Sequence, residues 1–368
     1  MPQPAEDLLA WFDRHRRDLP WRRTRDPYRV WLSEVMLQQT RVEVVLPYYE
    51  RFLARFPAVE DLAAAGIDEV LALWSGLGYY RRARQLHAAA RQVAAAGGFP
   101  CTPEGWLELA GVGPYTAAAV ASIAFGVAVP VLDGNVERIL SRRLALAKDP
   151  KSSGGRRRLL EAAAALLDTE RPGDSNQALM ELGATVCSPR RPKCLLCPIV
   201  SDCRAAAGGD PESYPVARAK RESEKRRLVV AVVERDGRVL LFRRPDDSPL
   251  LAGTWELPWV PGDPEEEIGR AETALAGRYG GIWRLGPRLA QVRHGITYRD
   301  LEVGVHRADV KEIAPAEAAS GWFDAGGRAG LPLSSLVGKV LKAVSPLAAA
   351  SESAGGRPAR RSRSLRRG

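Results

Sequence analysis

The chain has 368 residues, and its 54 Lys and Arg against 44 Asp and Glu give a formal net charge of +10. This length exceeds what a single hydrophobic core usually organises, so we expect two domains. Hydrophobic residues account for 45% of the chain and charged residues for 27%, which excludes a fibrous or wholly disordered protein. The positive balance favours an anionic partner such as nucleic acid.

The amino-terminal residues include acids and contain no apolar run of the length that a signal peptide needs, so we expect a cytoplasmic protein. The one long uncharged stretch, residues 109–132, contains Pro114, Pro130 and many small residues. Because this composition interrupts a spanning helix, we predict a loop and a buried helix there, and no membrane segment.

Helical periodicity characterises the first half of the chain. Apolar residues recur at three- and four-residue spacings from residue 8 to about residue 182, which predicts an all-α domain over residues 1–206. The stretch 207–227 contains Gly, Pro and many charges without apolar periodicity, so we predict an interdomain linker.

The second half of the chain has a strand pattern. Two β-branched runs flank Asp236-Gly237, a dipeptide typical of a hairpin turn, and we expect an α+β domain over residues 228–345. The Arg-rich segment 346–368 has too little apolar content to pack, so we predict a disordered basic tail.

Four of the five cysteines lie close together, in the spacing C-x6-C-x2-C-x5-C, at Cys187, Cys194, Cys197 and Cys203. Disulfides are rare in a cytoplasmic chain, so this density indicates a metal site. Zinc and an iron-sulfur cluster are both bound by four thiolates, and the spacing alone leaves both open. Basic residues lie in and beside the same loops, at Arg190, Arg191, Lys193 and Arg204. They either contact phosphates or form a solvated charged face.

Two glycines, Gly111 and Gly113, separate two helical stretches in the sequence LAGVGPYTA at 109–117. Glycine adopts backbone conformations that are closed to other residues, and exposed N–H groups before a helix form an anion site suited to a DNA phosphate. Asp133 follows an apolar run at the start of the next predicted helix. It is either a helix N-cap or a carboxylate of a functional site.

Together these features resemble the helix-hairpin-helix DNA glycosylase superfamily, in particular its iron-sulfur branch. Four further segments are similar to the adenine DNA glycosylase family: LSEVMLQQT at 32–40, GLGYY at 76–80, LDGNV at 132–136 and NQALM at 176–180. The resemblance implies a helix-hairpin-helix glycosylase domain followed by a Nudix-like domain. It also implies a 4Fe-4S cluster on the four clustered cysteines.

Catalytic roles follow from the resemblance. Glu34 lies in an otherwise apolar predicted helix, where burial would raise its pKa, although exposure on an amphipathic helix is the alternative. By resemblance, Glu34 protonates adenine, Asp133 stabilises the cationic sugar, and Asn135 and Tyr115 orient water and the carboxylates. Endonuclease III and its relatives carry a Schiff-base lysine where this chain has Tyr115, so base removal without strand cleavage is implied.

The resemblance also implies residues that bind DNA and extrude the base. Gln39 and Tyr79 match the wedging positions, with core packing as the alternative for Tyr79. The other DNA-binding positions are Gly111, Gly113, Trp21, Arg22 and Gln177.

The second domain resembles the part of this family that reads the opposite base, 8-oxoguanine. LLAGTWELP at 250–258 is similar to the loop that opens a Nudix box, but AETALAGR at 271–278 lacks the acids that hold magnesium. We therefore predict a binding domain without hydrolase activity. The family's Phe-Ser-His turn is replaced by Ile296, Thr297 and Tyr298, and the expected opposite-base readers are His294, Thr297 and Tyr298.

The sequence thus predicts a monomeric, nucleoid-associated, monofunctional glycosylase that removes adenine opposite 8-oxoguanine or guanine from duplex DNA in base excision repair. One alternative is an endonuclease III-like pyrimidine glycosylase that also cleaves the strand, which Tyr115 and the second domain disfavour. The other is a DNA-binding protein without catalysis, which the joint presence of Glu34, Asp133, Tyr115 and Asn135 disfavours.

Overall fold

The computed structural model describes residues 4–216, 222–263, 268–296, 298–313 and 320–352. The chain divides into two compact units, one of Met1–Val70 with Arg81–Lys220 and one of Leu71–Tyr80 with Arg221–Gly368. In the part of the chain that the structure describes, no helix combines the length and the apolar character that crossing a membrane requires.

The first unit is helical, as expected. Its helices are α1 (Pro4–His15), α2 (Pro27–Leu37), α3 (Val42–Arg55), α4 (Val59–Ala64), α5 (Ile67–Leu73, whose end belongs to the second unit), α6 (Arg81–Ala96), α7 (Pro103–Leu107), α8 (Pro114–Phe125), α9 (Gly134–Leu144), α10 (Ser153–Ala164), α11 (Pro172–Thr185) and α12 (Arg204–Ala207). Local signals explain several helix starts, because proline occupies the first position of α2, α7, α8 and α11. Side chains of Asp26, Thr102 and Ser152 cap α2, α7 and α10.

One apolar core joins α1, α8, α9 and α11. Leu8 and Phe12 of α1 pack in the same buried cluster as Leu140 of α9 and Leu179 and Leu182 of α11. Helix α2 packs against α8, and both α8 and α9 pack against α11. Burial of these apolar side chains therefore fixes the positions from which the predicted catalytic residues project.

The second unit has the expected α+β composition. Its elements are β1 (Glu224–Val232), β2 (Glu234–Arg235), β3 (Arg238–Arg243), β4 (Trp255–Glu256), β5 (Trp259–Pro261), α13 (Ile268–Tyr279), β6 (Ile282–Ile296), β7 (Arg299–Lys311), β8 (Ser320–Phe323), α14 (Ala325–Ala329) and α15 (Ser335–Glu352). One sheet has the strand order β5-β1-β7-β6, in which only the β1–β7 pair is parallel. The second sheet joins β2, β3 and β4, with β8 also paired to β3.

The predicted Asp236-Gly237 turn connects β2 and β3, which pair antiparallel with Arg235 opposite Arg238. Asp236 and Gly237 both have positive φ, of 49° and 70°. These are the backbone angles of the tight hairpin turns for which Asp-Gly is preferred.

Strand β1 begins at Glu224, inside the stretch predicted to be a linker. The residues before Leu228 are charged, so the apolar pattern of a strand does not extend to them. Ion pairs to the neighbouring strand β7 stabilise them instead, between Glu224 and Arg299 and between Arg227 and Glu302. The linker prediction is therefore corrected to end before residue 224.

Two other predicted boundaries differ from the structure. The segment Leu71–Tyr80, expected in the helical domain, groups with the second unit, where Tyr80 donates a hydrogen bond to the carbonyl of Leu333. The predicted tail begins at residue 346, inside helix α15, since the Ala-rich stretch there has high helix propensity. Residues 353–368 of that tail lie outside the described residues.

Candidate active site

A cleft of about 890 Å³ opens in the helical unit between the end of α2, the starts of α8 and α9, and one face of α11. It brings together most residues expected to act on the base: Trp21, Arg22, Glu34, Gln39, Tyr115, Asp133, Asn135 and Gln177. These residues are far apart in sequence, so the fold assembles the site.

Glu34 is buried, with 6% of its surface exposed, because α2 is enclosed along most of its length. The Tyr115 hydroxyl donates a hydrogen bond of 2.6 Å to Glu34 Oε2. Burial raises the pKa of Glu34 to about 7, and the nearby charge of Asp133 acts in the same direction. A substantial fraction of this carboxyl group therefore holds a proton near neutral pH.

Tyr115 lies in the first turn of α8, directly after the hairpin glycine Gly113 and Pro114. Its hydroxyl also contacts the sulfur of Met180 at 3.1 Å. Burial, together with the charge of Glu34, raises the pKa of Tyr115 well above its ordinary value. Tyr115 is therefore a neutral hydrogen-bond donor to the carboxyl group beside it.

Asp133 is the N-cap of α9, where its Oδ1 accepts a hydrogen bond of 2.7 Å from the backbone N–H of Val136. Its other oxygen, Oδ2, accepts from Asn135 Nδ2 at 3.0 Å and the residue lines the cleft. Burial raises the pKa of Asp133, although the bonds from Val136 and Asn135 oppose that shift. The two interpretations of this residue are thus compatible, since one side chain caps the helix and faces the cleft.

Arg138 is a cleft residue that the sequence reasoning missed. Its Nη2 donates to Asn135 Oδ1 at 3.0 Å and to the carbonyl of Gly183 at 2.8 Å, and its Nε donates to the carbonyl of Cys187 at 2.8 Å. The available signal was its position three residues after Asn135, which places both on one face of α9.

Glu181 is a second missed residue, and its side chain is completely buried. It accepts hydrogen bonds of 2.8 Å from both Arg17 and Arg22. Burial acts to raise the pKa of Glu181, but the two arginines outweigh it and lower that pKa to about 2. Arg22, expected beside the adenine, is therefore already bound to a carboxylate at the edge of the cleft.

The two predicted wedge residues are both exposed and both have left-handed backbone conformations. Gln39 has φ of 58° and lines the cleft, whereas Tyr79, 49% exposed with φ of 52°, belongs to the other compact unit and does not line it. A left-handed conformation costs about 1–3 kcal/mol for a residue other than glycine, and such residues occur preferentially at functional sites.

The predicted phosphate hairpin has the glycine geometry that its sequence indicates. Gly111 has φ of 74°, and a Cβ there would lie 2.5 Å from Cβ of Gln85. Gly113 is the N-cap of α8. Neither glycine lines the cleft.

The four clustered cysteines line one small cavity at the end of the helical unit. The guanidinium of Arg142, which is buried, donates to Cys187 Sγ at 3.3 Å. Among the described residues, no group of three or more His, Cys, Asp or Glu side chains is arranged to hold a metal ion. The fifth cysteine, Cys101, is exposed.

The predicted opposite-base segment lies where β6 and β7 meet. His294 is buried, at 7% exposure, with Ser335 of α15 beside its Nε2 at 3.4 Å, so the alternation along β6 turns it away from the surface. Tyr298 is half-buried and its ring lies 5.3 Å from the guanidinium of Arg299. Thr297 lies outside the described residues.

Comparison with known protein families divides the chain in the same way. Residues 32–164 match the HhH-GPD superfamily of base excision DNA repair proteins, and residues 228–343 match the NUDIX domain. A solved structure of a thermostable thymine-DNA glycosylase is 31% identical with a TM-score of 0.51, over 55% of this chain and 95% of that one. That likeness covers the helical glycosylase fold.

Curated relatives match both parts. The adenine DNA glycosylase of Homo sapiens is 41% identical over 319 residues, which cover 72% of this chain and 58% of the human protein. The chain therefore spans less than two thirds of that relative. The adenine DNA glycosylase of Mycolicibacterium smegmatis is 40% identical over 265 residues, which cover 71% of this chain and 86% of the relative. On this evidence the chain belongs to the adenine DNA glycosylase family.

Proposed function

We propose that the protein is a monofunctional DNA glycosylase that removes adenine opposite 8-oxoguanine or guanine from duplex DNA, in base excision repair. The observation that carries this proposal is the cleft in which Glu34, with a pKa near 7, lies with Asp133, Asn135 and Tyr115. The activity is the one named for the family relatives. We further propose that the protein acts as a monomer in the cytoplasm, at the nucleoid.

Two events must occur when the bond between adenine and its sugar breaks: the base must leave without a negative charge, and the cationic sugar must be stabilised. Protonated Glu34 supplies the proton, to N7 of adenine. Asp133, when ionised, supplies the opposing charge to the sugar. The two carboxyl groups have different hydrogen-bond partners, a phenol for Glu34 and an N-cap amide for Asp133, which fits the two roles.

After proton transfer, Glu34 is a carboxylate that can accept a proton from the attacking water. Asn135 holds Asp133 by a 3.0 Å hydrogen bond and is itself held by Arg138, so the orientation of the carboxylate is fixed before the substrate arrives. Tyr115 holds Glu34 in the same way.

Strand cleavage through a Schiff base requires an amine in the site. Tyr115 supplies a neutral hydroxyl, and the described residues that line the cleft include no lysine. We therefore infer that the product is an intact strand with an abasic site.

A base inside a duplex must be extruded to reach a carboxyl group buried in a cleft, at a cost of a few kcal/mol. We infer that exposed Gln39 enters the space that the base leaves, and that the N–H groups of the Gly111–Gly113 hairpin bind a backbone phosphate. The wedging role of Tyr79, which is exposed in the second unit, stays a prediction. Trp21 and Gln177 line the cleft that receives the adenine.

We infer that the four clustered cysteines hold a 4Fe-4S cluster. The four thiols line one cavity, which suits a group held by four thiolates. Zinc is bound by the same ligands, and the resemblance to the iron-sulfur branch of the superfamily favours the cluster. The bound cluster would cross-link the loops that carry Arg190, Arg191 and Lys193, and we assign it no step of the reaction.

Metal analysis tests this inference. We expect about four irons and four sulfides per chain, reduced in Cys194→Ser and unchanged in Cys101→Ser, since Cys101 is exposed and outside the cavity. Zinc without iron in the purified protein would refute the cluster.

The function is tested by single-turnover excision on duplexes that hold adenine, thymine or an oxidised pyrimidine opposite 8-oxoguanine, guanine or adenine. We expect excision of adenine only, fastest opposite 8-oxoguanine, with no strand break before alkali is added. Glu34→Gln should bind the duplex and lose excision by a factor on the order of 10²–10⁴.

Excision of thymine or of an oxidised pyrimidine, together with strand cleavage, would support the endonuclease III-like alternative. The likeness to the thymine-DNA glycosylase structure is the reason for including these substrates. Duplex binding without any excision would support a DNA-binding protein instead.

A further inference from the structure

Arg82 is a buried arginine in the first turn of α6, with 8% of its surface exposed. Its Nη1 donates to the carbonyls of Val35 and Met36, both at 2.9 Å, and to the carbonyl of Gln38. Its Nη2 donates to Thr40 Oγ1 at 3.2 Å. One guanidinium therefore donates to four acceptors within residues 35–40, three backbone carbonyls and one hydroxyl.

That stretch is the end of α2 and the turn that follows it. The last carbonyls of a helix have no partner within the helix, so Val35 and Met36 need a donor from outside. Between the bonded residues Gln38 and Thr40 lies Gln39, whose φ of 58° is costly for a side chain other than glycine. The bonds of Arg82 on both sides hold Gln39 in that conformation.

The same helix α6 also holds the glycine hairpin. Gln92 Oε1 accepts a hydrogen bond of 2.8 Å from the backbone N–H of Ala110. Gly111 lies so close to Gln85 that a Cβ at that glycine would be 2.5 Å from Cβ of Gln85. Helix α6 therefore fixes both the Gln39 turn and the hairpin. We infer above that these two features contact the same DNA duplex, one at the extruded base and one at a backbone phosphate.

We propose that Arg82 is a positioning residue for base extrusion: it holds Gln39 in its left-handed conformation and at a fixed distance from the phosphate-binding hairpin. This inference rests on the proposed function. Two of the four acceptors belong to Gln38 and Thr40, which flank Gln39, so the proposed effect of Arg82 is on insertion of Gln39.

The test uses 2-aminopurine in place of the target adenine, because its fluorescence rises when the base leaves the stack. All variants carry Glu34→Gln, so that the base stays attached. We expect the parent to bind the duplex with a rise in fluorescence. Arg82→Gln should bind with an affinity within about threefold of the parent and reduce the extruded fraction, expressed as an equilibrium constant, by on the order of tenfold.

Tyr28→Phe is the matched control. Tyr28 lies at the start of α2, at the opposite end of the helix from the Gln39 turn, and its hydroxyl donates a buried hydrogen bond of 3.0 Å to the carbonyl of Phe56. It should lower the melting temperature and leave the fluorescence rise intact. A fall in both variants would show that general loss of stability impairs extrusion, and would overturn a specific role for Arg82.

Two further variants keep the proposal open to refutation. Arg82→Lys offers three donors without the planar fork and should recover part of the rise. Thr40→Val removes one acceptor and should reduce the rise less than Arg82→Gln does; it carries the test if Arg82→Gln does not fold. A parent-like fluorescence rise in Thr40→Val and in every folded Arg82 variant refutes the proposal.

Excision by the protein with Glu34 intact is measured separately. If that protein does not excise adenine, the proposed function fails whatever Arg82 does. If it excises adenine and Arg82→Gln does so at the parent rate, the inference on Arg82 fails alone.

Discussion

Two glutamates of one cleft have opposite charge states near neutrality, because their surroundings differ. Glu181 has two arginine partners and a pKa of about 2, whereas Glu34 has a phenol partner and a pKa of about 7. Of these two glutamates, only Glu34 therefore has a proton to give near neutral pH. We expect the single-turnover excision rate to fall as the pH rises through 7, tenfold per pH unit at high pH. A rate that is flat from pH 6 to pH 9 would contradict the role of Glu34 as the acid.

The same pKa predicts a stability effect. The pKa of Glu34 is raised in the folded protein from 4.5 to about 7, so its favourable contribution is complete below pH 4.5 and is lost as the pH rises through 7. The loss is about 3 kcal/mol. Glu34→Gln should therefore raise the melting temperature at pH 8 more than at pH 5.5. Equal shifts at both pH values would show that the carboxyl group is not buried in its charged form.

Tyr115→Lys places an amine where the hairpin meets α8. Such an amine can attack the sugar and form a Schiff base, so we expect strand cleavage at the abasic product. Borohydride should trap a covalent complex in this variant and much less in the parent. Tyr115→Phe is the control, since it also removes the 2.6 Å bond to Glu34 but adds no amine. Equal trapping in Tyr115→Lys and Tyr115→Phe would contradict the prediction.

At the scale of elements, one residue at the start of α9, Asp133, has both a structural role and a proposed catalytic role. Asp133 caps the helix through Val136 N–H and faces the cleft. Asparagine caps a helix about as well as aspartate, whereas alanine loses about 0.5–2 kcal/mol. We expect Asp133→Asn to keep the melting temperature and to lose excision by on the order of 10²-fold or more. Asp133→Ala should lose both.

The comparison of the two variants separates the roles of Asp133. If Asp133→Asn excises adenine at the parent rate, the residue is a cap alone. If Asp133→Asn melts as low as Asp133→Ala, the cap interaction depends on the charge.

Element types were predictable where the signal is local. The Asp236-Gly237 turn and the proline-led helices follow from backbone preferences of single residues. The start of β1 at Glu224 was not, because its charged residues are satisfied by partners that lie far along the chain, such as Arg299. The charged residues at the start of β1 show no alternation of apolar residues, so the sequence alone did not identify them as part of a strand.

The site shows the same division. Motifs predicted Glu34 and Asp133 as site residues, and both line the cleft. The apolar sequence around Glu34 predicted burial and a raised pKa, and the structure has both. Arg82 and Arg138 were missed because an arginine in a helix usually lies on a solvated face, and only the tertiary fold shows that each bonds several carbonyls. His294 was predicted to read the opposite base, but the alternation of β6 buries its side chain.

At the scale of the whole molecule, the helical unit carries the cleft and the second unit carries the segment assigned to the opposite base. Strands β6 and β7 pair antiparallel, with Ile296 opposite Arg299. With His294 buried, the assigned side chains that remain are Thr297, outside the described residues, and half-buried Tyr298. We propose that Thr297 donates a hydrogen bond to the opposite base.

The variant Thr297→Ala tests whether this residue contributes to recognition of the opposite base. One hydrogen bond to a base edge carries about 1–3 kcal/mol of discrimination. The ratio of the binding constant opposite 8-oxoguanine to that opposite guanine should therefore decrease by a factor of about 5 to about 100. The excision rate at saturating enzyme should change little, because the cleft residues are untouched. Thr273→Ala, at an exposed position on α13, is the matched control and should leave the ratio unchanged. If Thr297→Ala also leaves the ratio unchanged, preference for the lesion arises elsewhere, and Tyr298→Phe is the next variant to measure.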